Sequence, residues 1–384
     1  MITISGPFDM AMLMRSKNVS SVVYFGVSSL VLMLAAFPVR AGDLVVSTTS
    51  DVINGDISNP SALKANPGPD GISLREAIEA VNKAPGPHTI VISPSLEGQT
   101  LQLSAALPHF KRDGITLQRL YDVADQPSFT VDAANAIAVE PGAGVISVRC
   151  SDFKISGFRI VRIMNFRDAV NVKAVSTNST GLPTEIKNVC IEGNAFDNTG
   201  LQNQTDVHVN AIVVETAKEN SGNSVMNVIV RDNVINGFYV GITTGSGDST
   251  RFDNLVIHGN TFINNELPME LVPEGTGSRL KGTRITANTF TQNGPHLAIT
   301  FGFSLAGSGS MIDELIIAGN EFRDESIAIH LALVGAMNMI RNTIIANNLT
   351  HGTFTIRCEG AQNTVGNTLI VGNRHLGSDV FVNI

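Results

Sequence analysis

The chain of 384 residues is 43% apolar and only 16% charged, contains 35 glycines and no tryptophan, and carries a formal net charge of −8. So much apolar side chain with so little charge excludes a disordered chain, and an acidic balance with no basic stripe argues against nucleic acid as a partner. Three cysteines, Cys150, Cys190 and Cys358, exclude a dense disulfide framework; at most one pair could form, and buried thiols acting as small apolar side chains are the simpler expectation.

At the N-terminus, Arg15 and Lys17 precede an apolar run from Val22 to Phe37, and Val39-Arg40-Ala41 follows with small residues where a signal peptidase reads. The pattern predicts a signal peptide over 1–41, cleaved after Ala41, because the run is shorter than the ~20 apolar residues of a membrane span. An uncleaved anchor is the alternative. Met10, Met12 and Met14 leave room for a later start. The protein is then expected to be secreted, periplasmic or at the cell surface, with no stable membrane insertion after cleavage. Residues 42–384 are expected to form one continuous domain: an N-terminal cap and irregular first coils over 42–129, and regular coils over 130–384.

Residues 43–56 read as an opening strand and 57–72 as a loop rich in Pro, Gly, Asn and Asp. Ser73 and Glu76 have the spacing of a capping box, and Leu74, Ala77, Ile78 and Val81 make one apolar helical stripe, which Pro85 and Pro87 keep from extending. Such a helix is expected to lie across an open end of the fold and to shield unpaired backbone there. The segments TIVIS, TLQLS and GITLQ then alternate apolar and polar residues, as irregular early coils would.

The second half repeats. Asn194, Asn233, Asn260, Asn288, Asn320, Asn348 and Asn373 recur at spacings of 39, 27, 28, 32, 28 and 25 residues. Three places before them stand Ile191, Val230, Ile257, Ile285, Ile317, Ile345 and Ile370, and five before stand Val189, Val228, Leu255, Thr283, Leu315, Thr343 and Thr368. Two places apart means one face of a strand. The period predicts a solenoid of stacked parallel strands, with each asparagine at a bend, taking the left-handed backbone of the corner and bonding its amide to the next in a ladder. Phe196, Phe262, Phe290 and Phe322 are expected to stack beside it. A second apolar run in each repeat, such as NAIVVET at 210–216 and IAIHLAL at 327–333, implies at least two strands per coil, and a third short one would close a triangle.

These repeats resemble the right-handed parallel β-helix proteins of the pectate-lyase-like superfamily over about residues 130–384, and DGISLREAIEAVN resembles the N-terminal cap of secreted bacterial members. Ile72 stands where many of those have a cysteine. The resemblance implies an all-β fold, a right-handed parallel β-helix (solenoid) with an N-terminal capping α-helix, and directs attention to two chemistries. Calcium-dependent lyases need clustered carboxylates and an Arg or Lys base, and hydrolases need paired carboxylates. The Asn-Thr-Asp, Asp-Asp, Gly-His-Gly and Arg-Ile-Lys of polygalacturonase-like hydrolases are met only by Gln204-Thr205-Asp206, no adjacent Asp pair, His258-Gly259 without the leading glycine, and Arg284-Ile285-Thr286. The Asp-Pro-His of alginate epimerases reads Gly-Pro-His at both His88 and His296. No zinc spacing or glycine-aspartate nonapeptide occurs, so no cofactor is expected, and calcium only if the chain is a lyase.

If the second strands stack with Ile212, Ile242, Ile299, Ile329 and Ile356 inward, their outward neighbours form a column of Glu215, Thr243, Thr300, His330 and Arg357, with Glu270 between. Glu215, Glu270, His330 and Arg357 are the candidate catalytic residues, and adjacent coils would let His330 and Arg357 cooperate in acid-base work on an acidic glycan. Solvated polar residues on an outer face are the plainer expectation. Insertions crowd into 176–250, which marks an edge for binding or mere loop drift. The residue four before each asparagine (Cys190, Ile229, Val256, Arg284, Ile316, Ile344, Leu369) makes an apolar outer column, expected to be covered by long loops. The chain ends on VFVNI, a strand that would either pair with another subunit in a homo-oligomer or be tolerated by twist and Asp379. Three functions stay open: binding of extracellular polysaccharide without catalysis, a lyase or hydrolase of a uronate polysaccharide, and an adhesin or structural surface protein.

Overall fold

The computed structural model describes residues 44–383 except 120–128, 138–143, 165–167, 175–184, 200–208, 218–221, 246, 274, 292–300, 306, 324–326, 352, 359–360 and 377–381. The expected signal peptide lies outside the described residues. The fold is a parallel β-helix. Three sheets of 13, 10 and 9 strands run along it among the described residues, and the pairings within them are parallel, coil upon coil. No helix among the described residues is long and apolar enough to cross a membrane.

The first sheet carries the strands that precede each asparagine. Its register aligns Ile191 with Val230, Ile257, Ile285, Ile317, Ile345 and Ile370 in turn, so the β-branched residues form one aliphatic column, buried from Ile191 to Ile345 and half-buried at Ile370. Two parallel strands must also be turned at every corner, and each turn strands backbone donors and acceptors. The asparagines satisfy them. The backbone N–H and the side-chain Nδ2 of Asn260 both donate to Oδ1 of Asn288, at 2.9 and 3.0 Å, and Nδ2 also donates to the Val230 carbonyl at 2.9 Å. The same set links Asn194 to Asn233, Asn233 to Asn260, Asn288 to Asn320, Asn320 to Asn348, and Asn348 to Asn373.

The left-handed backbone of the corner falls one residue earlier than expected. Gly193, Asp232, Gly259, Ala287, Gly319, Asn347 and Gly372 have φ between 54° and 66°, which explains the small residue before each asparagine. The ladder asparagines themselves are not in that conformation, so their side chains are chosen for bonding rather than for backbone tolerance. A second left-handed position, six residues before the ladder, is occupied by Asn188, Asn227, Asn254, Gly282, Glu314, Asn342 and Asn367. Here too the amides chain together: Asn227 Nδ2 donates to Asn188 Oδ1 and Asn254 Nδ2 to Asn227 Oδ1, both at 3.0 Å.

Beside the ladder, Phe262, Phe290 and Phe322 stack at centroid distances of 4.8 and 4.7 Å. Phe196 does not join them, because Ile235 is its partner in the next coil and separates it from Phe262.

At the other end of the chain order, the helix Leu74–Asn82 closes its capping box: the Glu76 N–H donates to Ser73 Oγ at 3.2 Å and the Ser73 N–H to Glu76 Oε2 at 2.8 Å. The free oxygen of that carboxylate accepts the N–H groups of Asn54 and Gly55, both at 2.7 Å, and so ties the preceding loop to the helix. Leu74, Ala77, Ile78 and Val81 are fully buried against the outermost strand of the first sheet, Leu44–Val46, and its neighbour His88–Ile92. The opening strand is only those three residues, and the stretch read as loop contains a short helix, Pro60–Ala65, which Asn59 caps. Ile72, standing in the place of a cysteine, is buried in the core.

The outer apolar column is not covered along its whole length. Cys190, Ile229, Val256 and Ile316 are half-buried, but Ile344 and Leu369 are 38% and 53% exposed. The strand Val382–Asn383 pairs with Thr353–Cys358 inside the chain's own third sheet.

Two stability changes follow from this packing. Replacing Asn288 by alanine leaves Asn260 N–H and the Ile257 carbonyl without their partners, and we expect a loss of about 1–3 kcal/mol, read as a lowered denaturation midpoint. Thr343 points inward, fully buried, and its hydroxyl has no hydrogen-bond partner among the described residues; Thr343→Val, which keeps the shape, is expected to raise stability by about 1 kcal/mol in the same assay.

Candidate functional site

The third sheet is built from the second apolar run of each coil. Ile146, Val170, Ile212, Ile242 and Met269 stand in one inward column, and Val148, Val172, Val214, Thr244 and Leu271 in a second, all of them buried. The residue between the two columns must therefore face outward. Following the register, that outward column reads Asn171, Val213, Thr243, Glu270, Gly302, His330 and Thr355. Asn171 is fully buried and Val213 is 5% exposed, whereas Thr243, Glu270, His330 and Thr355 are half-buried. The column thus emerges from a covered end into a polar strip.

This register separates the four candidate catalytic residues into two groups. Glu270 and His330 share the column, one on each side of Gly302. Glu215 stands two residues further along its strand, between Lys173 and Gly245. Arg357 pairs with Ala332 and Thr355 with His330, so Arg357 is not the lateral neighbour of His330. The expected alignment is two residues out in that coil because Phe354, not Ile356, stacks on Ile329, while Ile356 stacks on Leu331. Both are apolar residues at alternate positions, and either fits the inward pattern. Thr300 lies outside the described residues; Gly302 is the residue in register with Glu270 and His330.

At the covered end a charged network lies on the outer face. Arg149 Nη1 donates to Asn171 Oδ1 at 2.8 Å, which fixes the amide's orientation. Asn171 Nδ2 then donates to Asp168 Oδ2 at 2.8 Å and to Glu215 Oε1 at 3.0 Å, using both of its hydrogens. Asn210 Nδ2 donates to the other oxygen of Asp168 at 3.0 Å, and Lys173 Nζ lies 3.3 Å from Glu215 Oε1. Asp168 is 4% exposed. Two carboxylates held by one amide would repel, and the nearby positive charges of Arg149 and Lys173 offset that repulsion. Asp168, Asn171, Lys173 and Arg149 are absent from the sequence-based candidates. Aligning DAVNVKA at 168–174 beneath NAIVVET at 210–216 places Asn171 and Lys173 in the outward columns, a signal present in the sequence one coil upstream of NAIVVET. The insertions at 176–185, 199–209 and 217–224 leave the strands of these same coils, and most of their length lies outside the described residues.

A second charged cluster stands on the first sheet. Glu192 takes Lys154 and Arg231 as ion-pair partners, and Arg231 Nε donates to its Oε2 at 2.7 Å. Burial pushes the Glu192 carboxyl up, but the hydrogen bonds from Lys154 and Arg231 outweigh it and hold the group below the usual carboxylate range. Cys190 Sγ lies 3.4 Å from Glu192 Oε2, and burial together with that carboxylate pushes the thiol up to about 12. All three cysteines are free. Among the described residues no three His, Cys, Asp or Glu side chains are grouped so as to hold a metal ion.

No protein-family model matches this chain, and no curated protein does. Solved structures do. The chain is similar to an endo-xylogalacturonan hydrolase from Aspergillus tubingensis, at 10% identity over 80% of this chain and 94% of that one, with a TM-score of 0.38. It is similar to a surface adhesin of Streptococcus pneumoniae at 13% identity, over 88% of this chain and 93% of the other, TM-score 0.41. The A-module of a mannuronan C-5 epimerase from Azotobacter vinelandii is similar at 11% identity, over 88% and 99%, TM-score 0.34. At such values none of them assigns an activity to this chain.

The thiols provide a check on the outer faces. Cys358 is exposed, Cys190 half-buried and Cys150 buried, with the Cys150 thiol also pushed up to about 12 by burial. Alkylation of the folded protein at mildly alkaline pH is expected to modify Cys358 first, and Cys150 and Cys190 only after denaturation; mass spectrometry of the labelled peptides reads the order, and early labelling of Cys190 would contradict its placement beside Glu192.

Proposed function

We propose that the outer face of the third sheet binds an extracellular polysaccharide along its coils. The observation that carries this reading is the strip Thr243, Glu270, Gly302, His330 and Thr355, one residue per coil at the strand spacing of about 4.8 Å. A polymer of repeated sugars meets a lattice of repeated positions, and the hydroxyls of the sugar find a carboxylate acceptor, an imidazole and two threonine hydroxyls. Gly302 contributes no side chain to the strip, so the acid and the imidazole stand two strand spacings apart across an interval that a ring can enter. The hydrogen-bonded network of Arg149, Asn171, Asp168 and Glu215 gives one end of the strip a fixed shape before any ligand arrives, which lowers the ordering cost of binding. Export through the expected signal peptide over 1–41 belongs to the same reading.

The second reading is a uronate-polysaccharide lyase or hydrolase, favoured by the presence of Glu270 and His330 in one column, types that serve as general acid and base. Arg357, one coil beyond and two residues along, would then contact the substrate's carboxylate, and calcium would be needed only for the lyase. Under the adhesin reading the same strip would serve attachment without turnover.

Calorimetric titration with pectin, polygalacturonate, alginate and glycosaminoglycans tests binding. Loss of one charged hydrogen bond weakens an interaction by about 1.5–3 kcal/mol, so Glu270→Ala and His330→Ala are each expected to lower the affinity by about 10- to 100-fold. Unchanged binding in both variants would overturn the assignment of this face. Absorbance of unsaturated product near ~235 nm and a reducing-end assay, with and without calcium, separate the readings: silence in both on a protein that binds supports recognition, and product in either moves the assignment to catalysis.

A further inference from the structure

The outer face of the first sheet carries its charge unevenly. The strand Arg251–His258 and the next coil, Arg279–Lys281 with Arg284–Thr286, place Arg251, Arg279, Lys281 and Arg284 on that face against a single acid, Asp253. The intervening residues Phe252, Leu280 and Ile285 are buried, so these charges point outward together. Register sets Arg251 beside Arg279, Asp253 beside Lys281, and Arg284 between Val256 and Ile316.

The following coil answers only part of this charge. Arg279 lies 3.7 Å from Asp313 and Lys281 3.2 Å from Glu314. Asp313 is already engaged by Arg341 Nη2 at 2.9 Å and Asn342 Nδ2 at 2.8 Å. Arg251 and Arg284 are exposed and have no acidic partner among the described residues; Arg284 reaches only the carbonyl of Gly282, at 3.5 Å. A chain with a formal net charge of −8 therefore presents a local surface of the opposite sign. Like charges on neighbouring strands cost energy unless an anion joins them. Ile229, Val256 and Ile316, half-buried in the column that contains Arg284, add apolar surface against which the carbon-bound hydrogens of a sugar ring can rest.

We propose that this face is a second glycan site, selective for carboxylated or sulfated polysaccharide, with Arg251 and Arg284 as its contacts to the anionic groups. The inference rests on the reading that the ligand is a polysaccharide, and it adds the sign of the ligand and a separate surface. Both arginines are exposed and stand outside the ion pairs among the described residues, so replacing them leaves the packing intact.

The test measures binding of the purified protein to polygalacturonate and to heparin from about 0.1 M to about 1 M salt, over which the Debye length falls from ~10 to ~3 Å. The variant Arg251→Gln with Arg284→Gln is expected to weaken binding about three- to tenfold at the low salt, the range of two exposed ion pairs, and to flatten the salt dependence. The polymer that loses more identifies carboxylate or sulfate as the recognised group. Binding that persists in the double variant with its salt dependence unchanged, while Glu270→Ala and His330→Ala still weaken it, would overturn this inference and leave the third-sheet site standing. Stronger retention on duplex DNA than on either glycan would also overturn it. Binding to no glycan at all would defeat both.

Discussion

Parallel coils can stack only if every corner satisfies its backbone without the help of the next strand, and here one side chain does it seven times. Each ladder asparagine from Asn194 to Asn348 is tied to two neighbouring coils, through Oδ1 to the coil before and through the backbone N–H and Nδ2 to the coil after. That geometry admits one register. A slip by a single residue would turn the buried column of Ile257, Ile285, Ile317 and Ile345 out to solvent and the outer column in. The aliphatic column and the amide ladder therefore enforce one another: burial selects the face, and the amides select the position along it. The adjacent left-handed residue then re-aims the chain into the second sheet, where the stacked Phe262, Phe290 and Phe322 fill the interior behind the corner.

The outward residues inherit their positions from this inner lattice and contribute little to it. On the third sheet, Glu270 and His330 come into one column because Met269 and Ile329 are held inward beside them. The only requirement on an outward position is that it tolerate water or find a partner. The network around Asn171 shows the second solution, in which two acids, two bases and two amides close on one another. A rigid scaffold with an unconstrained face lets binding groups be placed at fixed intervals at small cost in stability.

This division explains what could be read from the chain. The first-sheet column was legible because the same residue types return at the same offsets from an asparagine, and the asparagine marks the frame. Nothing marks the frame of the third sheet. Its strands start at variable distances from the ladder, insertions intervene, and alternating apolar runs such as FTIRC fit inward at Phe354 or at Ile356 equally well; the register chooses Phe354 for Ile329. His330 and Arg357 consequently fall into different columns. The charged network is hard to read from the sequence for a related reason: DAVNVKA has a buried asparagine and aspartate where an inward-outward pattern implies simple alternation. The left-handed corner was displaced by one residue because Asn tolerates that backbone, and tolerance alone does not show which of two neighbours adopts it.

Charge distribution sets the two outer faces apart. On the third sheet the acids Asp168 and Glu215 stand in one network with Arg149 and Lys173, and further along the outward column holds mostly hydrogen-bonding groups. On the first sheet, Glu192 is flanked by Lys154 and Arg231, and two and three coils beyond it Arg251 and Arg284 have no acidic ion-pair partner among the described residues. Electrostatic attraction reaches across a Debye length and orients an approaching polymer, whereas hydrogen bonds act only at contact and discriminate between sugars. Under the proposed polysaccharide reading, one face would draw an anionic chain toward the surface and the other would read the identity of the sugar. The ladder makes that division durable, since neither face can shift relative to the other without breaking the corner that joins the coils.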